Sequence, residues 1–381
     1  MTARRSHTGI GRREFLTRSG LLLGGTALAP TLLAACGGGG DGGGGDGRSV
    51  SISNWTSYID PALNRAFTRR TGIKVTYTED INDNNEYFAK IRPNLSRNQS
   101  IGRDGIVLTD WMASRLINEL RWVQPLVEAE IPNKKNLRAA LRSPGFDRER
   151  TYSLPWQSGV TGIAYNIDVT GTEIRTIDEF LAVEGTKTVL TEMRDTIGLI
   201  MASMGIDTDE PTFEKAAPAF DKLERAVRDG RISGFNGNEY VNDLGAGNLA
   251  AAFAWSGDVA QITRDNPKVR FAVPESGGML WSDNFLIPKT SNRAALASRW
   301  INFFYDPANA ARLTAEVQFI SPVEGVPEQL RKLGGDAAKL VDNPLVVPTE
   351  EFLAQNHIFG PLSGKEEERF DERFSQILGT G

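Results

Sequence analysis

Between residues 49 and 120, short apolar runs that suit strands alternate with segments of helical period, and this constrains the fold more than any other feature of the chain. Strand, helix, strand, helix in so short a span implies a parallel sheet with right-handed crossovers, because parallel neighbours cannot be joined by a tight turn. Val50 and Ile52 mark a first strand, and Asp60 with Pro61 supplies the N-cap and first-turn proline of a helix that Gly72 ends. A strand is expected over 73–78, a helix over 86–91 stopped by Pro93, a buried-type strand over 105–108 and an amphipathic helix over 109–120. The second half repeats the style, with strands near 162–165, 189–190 and 251–255, helices near 196–204, 212–228 and 294–305, and an apolar segment at 285–287. Ligands of such sheets bind beyond the carboxyl ends of strands. The residues that close the strands are therefore the candidates: Asn54, Trp55 and Thr56, then Thr109, Asp110 and Trp111, and later the stretches 255–258 and 281–283.

At 381 residues, 40% apolar and 24% charged, the chain has room for two lobes and excludes both a polytopic membrane protein and a mostly disordered one. A single cysteine, Cys36, rules out an internal disulfide framework, and the two histidines, His7 and His357, make clustered His or Cys chemistry improbable. A net charge of −5 argues against nucleic acid as a partner, since phosphate neutralisation needs a basic face.

The first 36 residues read as an export signal. Arg12 and Arg13 followed by Phe15 and Leu16 look like a twin-arginine motif, the uncharged stretch 21–35 is short of the ~20 residues of a membrane span, and Leu33-Ala34-Ala35-Cys36 looks like a lipobox. Residues 1–35 are then a cleaved signal peptide, Cys36 carries lipid, and 36–48 is a glycine-rich tether. Its eleven residues 37–47 would span about 17 to 20 Å as a random coil. Cleavage removes five arginines and one glutamate, so the folded part is more acidic still.

Tryptophan and carboxylate recur together at strand ends: Trp255 with Asp258, Trp281 with Asp283, Trp111 with Asp110. An indole face attracts a cation and an acid gives it a charge-assisted hydrogen bond, so such pairs suit an organic ammonium. The alternative, in which the tryptophans are core and the aspartates cap helices, stays open for any one pair. Asp80 opens a stretch like a calcium loop, but Asn85 replaces the sixth-position glycine and Ile91 the twelfth-position glutamate. No metal site is expected there; Asn85 is expected to cap a helix and His357 to serve a loop or packing role. Carboxylate pairs could serve a glycoside hydrolase, but nothing in the sequence sets their separation, and no enzyme is expected.

The run Ile52-Ser53-Asn54-Trp55-Thr56-Ser57-Tyr58, followed by Thr71-Gly72-Ile73-Lys74-Val75, and the later Tyr240-Val241-Asn242-Asp243-Leu244, Trp255-Ser256-Gly257-Asp258-Val259 and Trp281-Ser282-Asp283, stand in a telling order and spacing. The chain thereby resembles the polyamine (putrescine and spermidine) substrate-binding proteins of bacterial ABC transporters, collinearly over about 50–377. The resemblance implies an α/β fold, a two-lobed clamshell of the type II periplasmic-binding-protein kind, each lobe a mostly parallel sheet flanked by helices. It implies lobes of 49–157 plus 284–327 and of 158–283 plus 328–381. Trp55, Thr56, Thr109 and Trp111 would face the ligand from the first lobe, and Asp195, Trp255 and Asp258 from the second. Trp281 and Asp283 would sit beside a crossover and Phe319 on the return, with Asp258 after Trp255 favouring a diamine. Ser57 stands where relatives often carry an acid, and Phe319 where they often carry a tyrosine; Asp110 or Glu192 are the candidates to replace that acid.

The function so implied is an extracytoplasmic, lipid-anchored, monomeric binding protein that delivers polyamine to the permease and ATPase of an importer, without cofactor, metal or catalysis. The rivals are a binder of another small organic cation or metabolite, a hydrolase using Asp195, Asp258 or Asp283, and a signalling lobe that presents ligand to a receptor.

Overall fold

The computed structural model describes residues 48–379, so the export motif, Cys36 and the glycine tether lie outside the described residues. The strands, in chain order, are β1 (Ser49–Trp55), β2 (Lys74–Ile81), β3 (Gly105–Thr109), β4 (Val123–Gln124), β5 (Ser153–Asn166), β6 (Lys187–Leu190), β7 (Gly234–Asn236), β8 (Ala251–Trp255), β9 (Val269–Ala272), β10 (Met279–Pro288) and β11 (His357–Ile358). Their order along the sheet is β2-β1-β3-β10-β5-β8-β6-β7. Two parallel trios therefore flank an antiparallel pair: β1 runs parallel to β2 and β3, β6 runs parallel to β7 and β8, and β10 with β5 joins them.

Local signals placed most elements. Asp60 accepts from the Ala62 amide at 2.7 Å, Pro61 opens the helix Pro61–Thr71, and Gly72 closes it at φ 72°, a conformation glycine adopts without a Cβ penalty. Ala251–Trp255 is a fully buried strand with the expected limits. The helix Phe213–Arg228 is capped by Thr212, as its position before the apolar periodicity implies.

Three expectations need correction. The helix Asn84–Leu95 runs through Pro93 rather than stopping before it. Pro93 lies in the last turn, where it forfeits one ladder bond while Ile91 and Leu95 on the buried face hold the turn in place. Its N-cap is Asp83, which accepts from the Glu86 amide at 2.7 Å, and not Asn85. After β3 the α-helix covers only Asp110–Ser114 before widening to a π turn over Arg115–Glu119.

The central strands are also longer than the short stretches 162–165 and 285–287. β5 is buried at all fourteen positions, so it shows no alternation, and its Ser, Thr, Gln and Gly residues mask an apolar run. On β10 the register against β5 shifts between Ser282 and Asn284, which leaves Asp283 without a β5 partner and opposite Thr109 of β3. Such an irregularity re-aims a side chain, and here it serves the acid at the middle of the molecule.

Candidate functional site

The carboxyl ends of β1, β3, β6 and β8 converge with the middle of β10 on a cavity that opens to solvent. All ten residues expected at a ligand lie on its wall: Trp55, Thr56, Thr109, Trp111, Asp195, Trp255, Asp258, Trp281, Asp283 and Phe319. Trp55 and Trp255, the last residues of β1 and β8, meet edge to face with ring centroids 5.7 Å apart. Phe319 sits edge-on to Tyr58 at 4.9 Å and tilted against Trp281 at 5.7 Å. Two glycines make room for these rings. A Cβ on Gly159 would lie 2.5 Å from Trp281, and one on Gly257 would lie 2.4 Å from Phe319.

The acids are held by neutral donors. Asp283 accepts from the Thr109 hydroxyl (2.8 Å) and the Tyr58 hydroxyl (3.0 Å). Asp258 accepts from the Tyr240 hydroxyl at 2.7 Å, and that same oxygen takes the Trp255 amide at 3.0 Å. Asp195 accepts from the Trp255 indole at 2.9 Å. Burial pushes Asp258 and Asp283 up to about 7, with the hydroxyl bonds opposing it, and pushes Asp195 up to about 6 against the indole bond. Among the described residues none of the three forms an ion pair with a protein cation.

The tryptophan and carboxylate neighbours in sequence are not partners in space. Trp255 bonds Asp195 and leaves Asp258 to Tyr240. The Trp281 indole donates to Thr161 across the β10–β5 ladder at 3.0 Å, since its neighbour Asp283 turns to β3. Trp111 carries the Arg194 guanidinium 3.7 Å over its ring, so a protein cation already covers one face. Arg194 is itself buried and paired with Glu367 at 2.7 Å.

Ser57 is exposed, has φ 54°, and does not line the cavity; its carbonyl accepts from Gln261. The two acids considered as its replacements do line it. Asp110 is tied through Asn284 (2.6 Å) to the buried Arg150 (2.8 Å), and Glu192 accepts both the amide and the side-chain nitrogen of Asn84. Asp80 pairs with Lys90 and Arg103, and His357 bonds the Ser276 carbonyl. Residue-level reading missed Tyr58 and Tyr240, although both stand inside the motifs quoted above. It also missed Arg194, Asn238, Ile358 and Phe359; the last two arrive because β11 pairs with β10, a contact no local pattern announces.

The putrescine-binding periplasmic protein SpuD of Pseudomonas aeruginosa is 26% identical, covering 93% of this chain and 98% of its own length. The spermidine/putrescine-binding periplasmic protein 1 of Haemophilus influenzae is 24% identical, covering 81% and 83%. Among solved structures, the spermidine/putrescine ABC transporter substrate-binding protein PotD of Streptococcus pneumoniae superposes with a TM-score of 0.69 at 23% identity, covering 87% of this chain and 99% of that one. That likeness shows the fold, the two-lobed α/β arrangement of binding proteins. The sequence profile of the bacterial extracellular solute-binding proteins matches residues 62–344, most of the described chain. With that match over most of its length, the chain belongs to the bacterial extracellular solute-binding protein family.

Proposed function

We propose that this protein captures a polyamine, putrescine or spermidine, in the cavity and hands it to the permease and ATPase of an importer, without turnover. The observation that carries the reading is the set of carboxylates at Asp195, Asp258 and Asp283, held by hydroxyl and indole donors and without an ion-pair partner among the described residues, beside the rings of Trp55, Trp255, Trp281 and Phe319. Aliphatic carbons pack on rings while terminal ammoniums reach acids, and each ammonium relieves the desolvation that keeps an acid neutral. The relatives named for putrescine and spermidine support the same reading. Isothermal titration against putrescine, spermidine and a panel of other organic cations tests it. Saturable binding of a polyamine in preference to the others, with mass spectrometry recovering it unchanged, is the expected result; selective binding of another cation would transfer the site to that ligand.

In this reading the lobes are 49–157 plus 284–327 and 158–283 plus 328–381. Two of the crossings then fall on β5 and β10, next to the register shift at Asp283. A dication touching both lobes favours the closed arrangement, because only that arrangement makes both sets of contacts.

Trp255→Ala is expected to cost about 1 to 2 kcal/mol of polyamine affinity through lost ring contacts. Binding should also perturb indole fluorescence in the wild type. Since Trp255 is 7% exposed and packs on Tyr240, circular dichroism must show the variant folded; a folded variant that binds as tightly as wild type would remove this ring from the site.

Anchoring through Cys36 completes the proposal. Cys36→Ser should release the protein from the membrane fraction, and Arg12→Lys with Arg13→Lys should retain it in the cell. Continued membrane association of the serine variant would overturn the lipid anchor.

A further inference from the structure

The loops beyond β2 meet the loops beyond β6 and β7 through direct hydrogen bonds. Glu192, two residues past β6, accepts the Asn84 amide at 2.6 Å and the Asn84 side chain at 2.8 Å, at the first turn of the helix Asn84–Leu95. A carboxyl there satisfies an amide that has no partner within the helix. Asn238, two residues past β7, donates its amide to the Asn82 side chain at 2.7 Å and its own side chain to the Ile81 carbonyl at 3.2 Å. Asn82 returns a bond to Glu239 at 3.0 Å. These groups belong to opposite parallel trios, so every bond in the set spans the two halves.

Asn84 also connects this seam to the site. It donates to the Thr109 hydroxyl at 2.8 Å and accepts the Thr109 amide at 3.2 Å, and Thr109 in turn donates to Asp283. The carboxyl oxygen of Glu192 that faces Asn84 is thus committed to the seam.

We propose that Glu192 with Asn84, and Asn82 with Asn238, form a latch that holds the two halves together across the cavity and slows ligand departure. Glu192 is then a positioning residue of closure and not the acid that replaces one at Ser57. The effect on ligand residence rests on the binding function proposed above, whereas the latch itself can be tested with no ligand present.

Two variants reach it without touching the cavity wall. Asn82→Ala removes its side-chain bonds to Asn238 and Glu239, leaving the Asn238 side chain only backbone carbonyls across the seam. Gly237→Ala places a Cβ 2.3 Å from the Asn82 side-chain oxygen and wedges the seam, with no left-handed backbone to forbid alanine. In ligand-free protein, hydrogen exchange at the Asn84 amide, which neither substitution contacts, should accelerate about tenfold in both, because breaking one contact opens the other. Glu192→Ala should do the same at residues 237–239. In stopped flow with putrescine, dissociation should quicken about tenfold while association stays within about twofold, the pattern of a lost closed-state contact. Asn84 exchange within twofold of wild type in both Asn82→Ala and Gly237→Ala, with melting temperatures preserved, would overturn the latch. Failure of putrescine to bind wild type would refute the polyamine reading instead, and the exchange result would still decide the latch.

Discussion

Asp283→Asn is expected to weaken diamine binding by about 2 to 5 kcal/mol, because an ammonium desolvated in the cavity would face a neutral amide. Asp283 is 4% exposed and sits at the β10 register shift, with both oxygens already accepting hydroxyls. Each oxygen keeps a second lone pair, so an ammonium can add a charge-assisted hydrogen bond there, and asparagine removes the charge that strengthens it. Asp258→Asn should behave alike, with a difference: its partner Tyr240 also receives the Trp255 amide, so part of the loss would come through the ring. The same substitutions should leave the ligand-free protein as stable as wild type or more so, since a buried carboxylate without an ion pair costs desolvation energy. Titration calorimetry and thermal melts check both halves. Affinities of both variants within threefold of wild type would take these acids out of the site.

Polyamine affinity is expected to fall steeply as pH drops from 7.5 to 5.5. Burial raises Asp258 and Asp283 to about 7, so the ligand-free site holds protons that an incoming dication must displace. For two carboxylates titrating there, ionisation alone lowers affinity by about two to three orders of magnitude over that window. Binding near neutrality should release protons, visible as a dependence of the calorimetric heat on the buffer. Stability of the ligand-free protein runs the other way. Carboxyls whose folded value lies above the unfolded one stabilise fully below the ordinary carboxylate range, and that contribution is lost as pH rises through about 7. The melting midpoint should accordingly drop between pH 5.5 and 8 in wild type, and drop less in Asp258→Asn with Asp283→Asn. Affinity independent of pH, together with a midpoint that falls equally in the double variant, would show that the two acids do not titrate in this range.

The elements with local punctuation were legible in the chain itself. Asp60, Pro61 and Gly72 delimit a helix by cap chemistry, and the apolar run Ala251–Trp255 delimits a strand by burial. Strand alternation placed Trp55, Thr56, Thr109, Trp111, Trp255 and Asp258, because in a parallel sheet the carboxyl ends share one edge. Trp281 and Asp283 sit instead inside the antiparallel strand β10 rather than at a strand end, and Asp195 and Phe319 came from family resemblance; all ten line one cavity. Their partners were not legible. Trp255 meets Asp195 across sixty positions, Asp283 meets Tyr58 across 225, and Arg194 covers Trp111. Pro93 stays helical because its turn is packed, against its own local preference. Residue type and spacing thus determined which groups arrive at the site, since caps, periodicity and strand ends depend on neighbours in the chain. Which group touches which was decided only by the order β2-β1-β3-β10-β5-β8-β6-β7 and the shift at Asp283, because hydrogen bonds and ring contacts reach a few ångströms through space and carry no memory of sequence distance.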